Sequence, residues 1–392
     1  KGMTPAARQS AAIEILDRIL TGEPAEAALT RWARGARYAG SGDREAVRDW
    51  VYRALRQRRS AGAASGAAEE SGRALMLGML RLDGAAPEGW SGTNHTPAPL
   101  TDHETAIFAA PHPVLDRAVA GDCQDWLLPL FDAALGADAD AVLARMRDRA
   151  PVFVRVHARR SERGGVVAEL AETGIRATPH PLARTALALS GATRRLKQTQ
   201  AFIDGRVELQ DAASQAVIEV LAGHLPSGTA VLDFCAGGGG KALALAALGF
   251  RVSAHDADPR RMRDLPSRAE RAGDPVAILA QAQGAWPCVL ADVPCSGSGS
   301  WRRAPEAKWT LTPERLAELT RTQDAILARA AALVAPGGVL AYATCSLFLE
   351  ENDARIDAFL AAQADWAQVT RHRWTPLDGA DGFFLAVLRR AG

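Results

Sequence analysis

VLDFCAGGGGKA (Val231–Ala242) is the stretch on which the fold turns. An apolar run ends in an acid, four glycines follow, and helix-forming residues resume at Lys241. Glycines in that place permit positive φ and let the backbone come close to a ligand at a helix start. A phosphate-binding P-loop needs glycine where Cys235 stands and serine or threonine where Ala242 stands. A dinucleotide fingerprint beginning at Gly237 needs glycine at Ala242. Both fail.

The surviving pattern is an acid followed by small residues at alternating positions, Asp233, Cys235, Gly237 and Gly239, as in loops that bind S-adenosylmethionine (SAM). The next strand ends in His255-Asp256, where an acid can accept both ribose hydroxyl protons. The competing role for Asp256 is to cap the helix that follows.

Outward from this loop, strands and helices alternate from Gly205 onward. TAVLDFCA, FRVSAHDA, PVAILA, CVLADVPC and GGVLAYATCS are near-continuous apolar strands, separated by helical stretches such as Thr312–Leu333. That pattern predicts a parallel sheet in a doubly wound α/β domain, with ligands beyond the carboxyl ends of the strands. Residues 145–204 differ. PVFVRVHARR alternates β-branched or aromatic residues with arginine, a helix follows over Gly164–Thr173, then a short strand over Ala186–Ser190. Residues 3–144 read as helical. Ala12, Ile15, Leu16 and Ile19 recur at helical spacing, and so do Val47, Trp50, Val51, Ala54 and Leu55 in Asp43–Arg59. Small-residue stretches at 60–68 and 84–99 read as loops. The expected architecture is multidomain: an all-α domain (3–144), a small basic α+β subdomain (145–204) and a Rossmann-like α/β domain (205–392).

A chain of 392 residues, 48% hydrophobic and 23% charged, has room for two or three domains and is not disordered. Its five cysteines are odd in number and form no CxxC pair, which argues against a disulfide scaffold, a zinc ribbon or any metal site and for a reducing cytoplasm. No apolar run reaches the ~18–20 residues of a membrane span. Lys1 and Gly2 read as additions ahead of a native start at Met3. The net charge of +1 is unevenly spread: +5 over residues 1–60, −9 over 61–144, +8 over 145–206 and −3 over 207–392. Two basic blocks on a neutral chain point to a localised polyanion contact, the alternative being a solvated arginine surface. Arg31, Arg34, Arg37, Arg53 and Arg56 in the first block, and Arg155, Arg159, Arg160, Arg163, Arg194, Arg195 and Lys197 in the second, are candidates for a polyanion track.

Cys295, in LADVPCSGSG, and Cys345, in AYATCSLFLEEN, each follow an apolar strand and precede a polar turn, so adjacent strands would bring them to one rim. Cys123 and Cys288 read as small buried hydrophobes. With VELQDAASQ (Val207–Gln215), DFCAGGGGK (Asp233–Lys241), DVPCSGSGSWRRAPEAKW (Asp292–Trp309), YATCS (Tyr342–Ser346), EEN (Glu350–Asn352) and DGFF (Asp381–Phe384), the chain resembles the Fmu/Sun-type RNA cytosine-C5 methyltransferases. The closer likeness is to bacterial rRNA members headed by a NusB-like helical domain.

The resemblance implies SAM as cofactor and RNA, small-subunit rRNA above all, as partner. It makes Cys345 the nucleophile that adds to cytosine carbon 6, and Cys295 the thiol that helps product release. Asp292, when protonated, would polarise ring nitrogen N3. Cys235, Ala236, Gly237, Gly238, Gly239, Gly240 and Lys241, with Asp256 and Asp292, would hold the cofactor or shape its site. Arg302, Arg303 and Lys308 would either raise the thiolate character of Cys345 or grip phosphates. Trp301 and Trp309 would stack on flanking bases or pack in the core. The family's loop proline is absent, which predicts a more flexible loop. An acid expected after the third strand is replaced by Ile278-Leu279-Ala280-Gln281. A tRNA methyltransferase of the same chemistry and a non-catalytic RNA-binding assembly factor are the competing readings, and the sequence names no protein partner.

Overall fold

The structure, a computed structural model, describes residues 2–392; Lys1 lies outside the described residues. The chain forms two compact units. One comprises the residues up to Asp132 with Ala137–Arg149 and Trp301–Thr310; the other comprises Ala133–Gly136, Ala150–Ser300 and Leu311–Gly392. The helical unit therefore runs past residue 144 and takes in a segment that the sequence reading gave to the α/β domain.

In the helical unit, Thr4 caps Pro5–Leu20 by accepting from Ala7 N at 3.2 Å, and Pro5 takes the first helical position, where its missing N–H has no helical partner to lose. Helices Ala25–Gly35, Ser41–Arg56, Arg58–Ser65 and Gly72–Leu82 follow. Ile15, Leu16, Val47, Val51, Leu55, Leu75, Met76 and Met79 form their shared core. The stretch at 60–68, expected as a loop, is helical to Ser65 because its small residues allow another helix to approach. A Cβ on Gly78 would meet Ala61 O at 1.8 Å. Trp301 is buried here, edge-on to Phe131 at 6.1 Å, so core packing is its role.

The second unit holds two sheets. β1 (Val152–Val156), β2 (Ile175–Pro179), β3 (Ala186–Gly191) and β4 (Val207–Leu209) form an antiparallel sheet in the order β2-β3-β1-β4. β5 (Ala230–Asp233), β6 (Arg251–Ala254), β7 (Val276–Ile278), β8 (Trp286–Asp292), β9 (Val334–Thr344), β10 (Trp366–Trp374) and β11 (Phe383–Arg390) form the larger sheet, in the order β10-β11-β9-β8-β5-β6-β7. Its first five strands are parallel, as expected, while β11 and β10 run antiparallel at one edge. Alternation fills both faces: Val231 and Leu290 join a core with helices Ala212–Ala222 and Gly240–Ala247, whereas Leu232, Val289 and Ala291 face the other way, toward Pro313–Ala332. β1 divides likewise. Val154 and Val156 pack under helix Arg163–Glu172, and Phe153 joins the core of the larger sheet.

Replacing glycine by alanine inside a helix ordinarily stabilises by about 0.5–1 kcal/mol. At Gly78 the sign reverses: Gly78→Ala lowers stability by roughly 1–3 kcal/mol through overpacking, measured by chemical denaturation.

Candidate active site

The glycine loop leaves the carboxyl end of β5. Gly237 (φ +53°) and Gly239 (φ +83°) take the left-handed conformation, and a Cβ on Gly239 would lie 2.3 Å from Leu265 Cδ1. Asp256, at the end of β6, accepts from Gly237 N at 2.8 Å, from Asp258 N at 2.9 Å and from Arg261 at 3.1 Å. The loop lacks the stiffening proline, yet two arginines tie its carbonyls: Arg155 donates to Gly240 O at 3.1 Å and Arg268 to Gly238 O. Restraint comes from tertiary contacts, which the sequence does not display, so the expected looseness is not what the bonding describes.

The order β5-β8-β9 sets three strand ends side by side. In parallel register Asp292 lies opposite Ala343, and the chain continues from each strand into its cysteine. Cys295 Sγ and Cys345 Sγ are 3.4 Å apart, with Ser300 Oγ 3.8 Å from Cys345 Sγ. A cleft of about 610 Å³ is lined by both thiols, the glycine loop, Lys241, Asp292 and Phe383.

The two thiols titrate in opposite directions. The hydrogen bond with Cys295 lowers the Cys345 pKa against the cost of burial and the nearby Asp292 charge; the Lys241 charge and Ser300 assist. Cys295 is held well above the ordinary thiol range by its bond to Cys345, by burial, and by the negative charges of Cys345 and Glu351. Burial also raises Cys235, which lines the same cleft, so it is no competing thiolate. Cys288 is pushed up to about 12 by burial, and Cys123 to about 11.

The cation near Cys345 is Lys241. Its ammonium donates to Asp292 Oδ2 at 2.6 Å. Burial opposes that charge, but Asp292 overrides it and the Lys241 pKa is raised. Asp292 is thus half of an ion pair. Asp233, beneath the loop, is pushed up to about 7 by burial, with Asp292 adding to the effect.

Several residues expected to hold RNA or to activate the thiol are engaged elsewhere. Lys308 is 2% exposed in the helical unit and donates to Arg56 O at 3.4 Å; burial lowers its pKa to about 8. Arg302 is 4% exposed and donates to Arg149 O at 3.0 Å. Both heads are turned onto backbone carbonyls inside the helical unit, whereas Arg303 is exposed. Arg56 is buried, Arg53 pairs with Asp83, and Trp309 donates to Leu55 O at 2.6 Å. Arg155 is buried and also donates to Gln210 Oε1 at 2.8 Å, because β1 turns it to the same side as Phe153. Arg159 bonds Ala247 O at 2.8 Å and Asp274, and Arg160 bonds Asp204 O and Ala272 O, both at 2.8 Å. Exposed basic groups persist at Arg194, Arg195 and Lys197, on the turn Thr193–Gln198. Gln281 is exposed and accepts from Gln283 at 2.7 Å, outside the lining of the cleft.

Sequence reasoning missed Gln210, Ser214, Arg261 and Arg315 in the cleft lining. Gln210 and Ser214 belong to the quoted VELQDAASQ stretch; Arg261 and Arg315 sit in ordinary arginine-rich surroundings with nothing to single them out.

A family model described as 16S rRNA methyltransferase RsmB/F matches residues 221–389, and one described as an RsmF/B-like, ferredoxin-like domain matches 124–194. A probable ribosomal RNA small subunit methyltransferase B from Synechocystis sp. is 31% identical over 306 residues, covering 68% of this chain and 66% of that protein. A ribosomal RNA small subunit methyltransferase B from Yersinia pestis is 32% identical over 301 residues, covering 70% and 69%. The matched part thus spans about two thirds of the length of these relatives. The crystal structure of PH0851 is alike in fold over 100% of both chains, with a TM-score of 0.78 at 22% identity. By its identity to these proteins over that share of their length, the chain belongs to the RsmB/F family of 16S rRNA methyltransferases.

Proposed function

We propose that this chain methylates carbon 5 of a cytosine in small-subunit rRNA, using SAM, with Cys345 as covalent nucleophile. The observation that carries the reading is the 3.4 Å approach of two thiols, oppositely shifted, on the wall of the glycine-lined cleft. The family membership and the names of the relatives support the same substrate class.

The cleft suits SAM chemically. It offers bare backbone at Gly237 and Gly238 with Asp211 and Asp292 on its wall, and the Asp256 carboxylate, bonded to Gly237 N behind the loop, is the group we assign to the ribose hydroxyls. When bound, SAM supplies an electrophilic methyl group. The chain's own residues do the rest. The Cys345 thiolate adds to carbon 6, its electron pair forming the S–C bond while the ring's pair shifts toward carbon 5 and N3. A proton at N3 comes from the Lys241–Asp292 pair, whose ammonium is already aimed into the cleft. After carbon 5 loses its proton to a base, its electrons reform the ring double bond and expel Cys345 as a thiolate, while N3 returns its proton to the Lys241–Asp292 pair. Cys295, kept protonated beside it, donates a hydrogen bond that stabilises the departing thiolate. The target base must leave its stack to reach this rim, which loop or single-stranded RNA allows at least cost.

Arg194, Arg195 and Lys197 form the basic surface we assign to the RNA backbone; contacts of that kind position the substrate and weaken with salt. To the all-helical unit we assign the NusB-like role that the resemblance implies.

Cys345→Ala abolishes methylation, whereas Cys295→Ala accumulates a covalent protein–RNA adduct on denaturing gels; no adduct with the second variant would refute the division of roles. The pH dependence has a definite sign. A lowered Cys345 pKa means that thiol alkylation rises to its plateau with a midpoint below the ~8.5 of a free cysteine. Lys241→Met removes a nearby cation and moves that midpoint to higher pH. Arg155→Met frees the Gly240 carbonyl and weakens SAM binding about tenfold (~1.4 kcal/mol) by calorimetry, leaving RNA affinity unchanged.

A further inference from the structure

Beneath the two thiols lies a buried polar cluster that the chemistry above does not use. Glu351 is 0% exposed, and its carboxylate takes four donors. Oε1 accepts from Ser296 N at 2.8 Å and Gln323 Nε2 at 3.1 Å; Oε2 accepts from Ser296 Oγ at 2.6 Å and from Ser346 Oγ. Ser296 directly follows Cys295, and Ser346 directly follows Cys345. We propose that Glu351 is a positioning residue that clamps the two cysteine loops together and so sets the separation of their thiols. The inference rests on the reading of Cys345 and Cys295 given above.

The surrounding bonds fit a clamp better than a chance burial. Gln323 Nε2 also donates to Pro294 O at 2.9 Å, on the other side of Cys295. Asn352 brackets Cys345: its Oδ1 accepts from Thr344 Oγ1 at 2.5 Å and its Nδ2 donates to Ser346 O at 2.8 Å. Tyr342 Oη fixes the turn itself by donating to Glu351 O at 2.6 Å. A carboxylate has about four lone-pair sites, and here all four are filled, so either loop can shift only by breaking a charge-assisted bond. The same negative charge lies near Cys295 and favours the proton staying there, which leaves Cys345 as the thiolate.

Glu351→Gln keeps the shape but sets an NH₂ group against donors or strips acceptors from Ser296 N and Gln323. The experiment follows which cysteine iodoacetamide modifies first, by peptide mass across pH, alongside kcat, KM for rRNA, and SAM affinity. Expected are a loss of the preference for Cys345 over Cys295, unchanged SAM affinity and KM, and a kcat lowered on the order of 100-fold, the scale of a misplaced reacting group. Unchanged alkylation preference overturns the proposal, whether or not kcat falls, since a fall alone would mark a merely structural effect. Should Glu351→Gln not fold, Ser346→Ala removes a single donor; a smaller shift in the same direction supports the clamp, and an unaltered preference overturns it. Alkylation needs neither SAM nor RNA. A missing adduct with Cys295→Ala would therefore refute the division of roles between the two thiols while leaving the clamp to be judged separately.

Discussion

Parallel pairing of β8 with β9 is the constraint on which the site depends. Parallel strands finish on the same edge of a sheet, so two cysteines distant in sequence are delivered to one rim without a special loop. The register, Asp292 against Ala343, also fixes which residues face the cleft. Lys241 comes from the helix after β5, the neighbour of β8, and completes a row of three strand ends: a cation, an acid and two thiols. Had β5 paired elsewhere, the same residues would be present and the ion pair that neighbours Cys345 would not.

Charge in the cleft is arranged by burial as much as by contact. Lys241 pairs with Asp292 on the cleft wall, Arg261 pairs with Asp256 behind the glycine loop, and burial pushes Asp233 up to about 7. Burial alone would push every thiol up, and it does so for Cys235 and Cys288. Cys345 escapes because a neighbouring thiol donates to it and a cation stands close by. The difference between these cysteines lies in their partners, since all are largely removed from water.

The parallel sheet, the glycine loop and the cysteine pair were legible in the sequence because each is a local pattern: continuous apolar runs, consecutive glycines, a cysteine at a strand end. The arginines were not. Arg155 in VFVRV reads as a solvent-facing residue of a half-buried strand, but the face it shares with Phe153 is packed against the larger sheet. Arg302 and Lys308 follow a catalytic-looking motif in sequence, yet Trp301–Thr310 belongs to the helical unit, where their heads meet backbone carbonyls. Long side chains carry their charge away from the position that the backbone suggests. The stretch at 60–68 misled for another reason: alanine, glycine and serine are turn formers in isolation and close-packing residues against a helix, and only tertiary structure chooses between them.

A buried carboxylate is an expensive way to hold two loops, because each unmade hydrogen bond would leave a desolvated charge. An apolar cluster replacing Glu351 and its donors together would stabilise the fold comparably, but dispersion has little direction and would let the loops slide by tenths of an ångström. Four charge-assisted bonds, each worth on the order of 1.5–3 kcal/mol, define a position in all three dimensions. Covalent chemistry between a thiolate and a ring carbon is sensitive to such displacements, whereas burial of side chains is not. The polar choice at Glu351 and its donors is therefore intelligible as a demand for geometry placed on the proposed nucleophile.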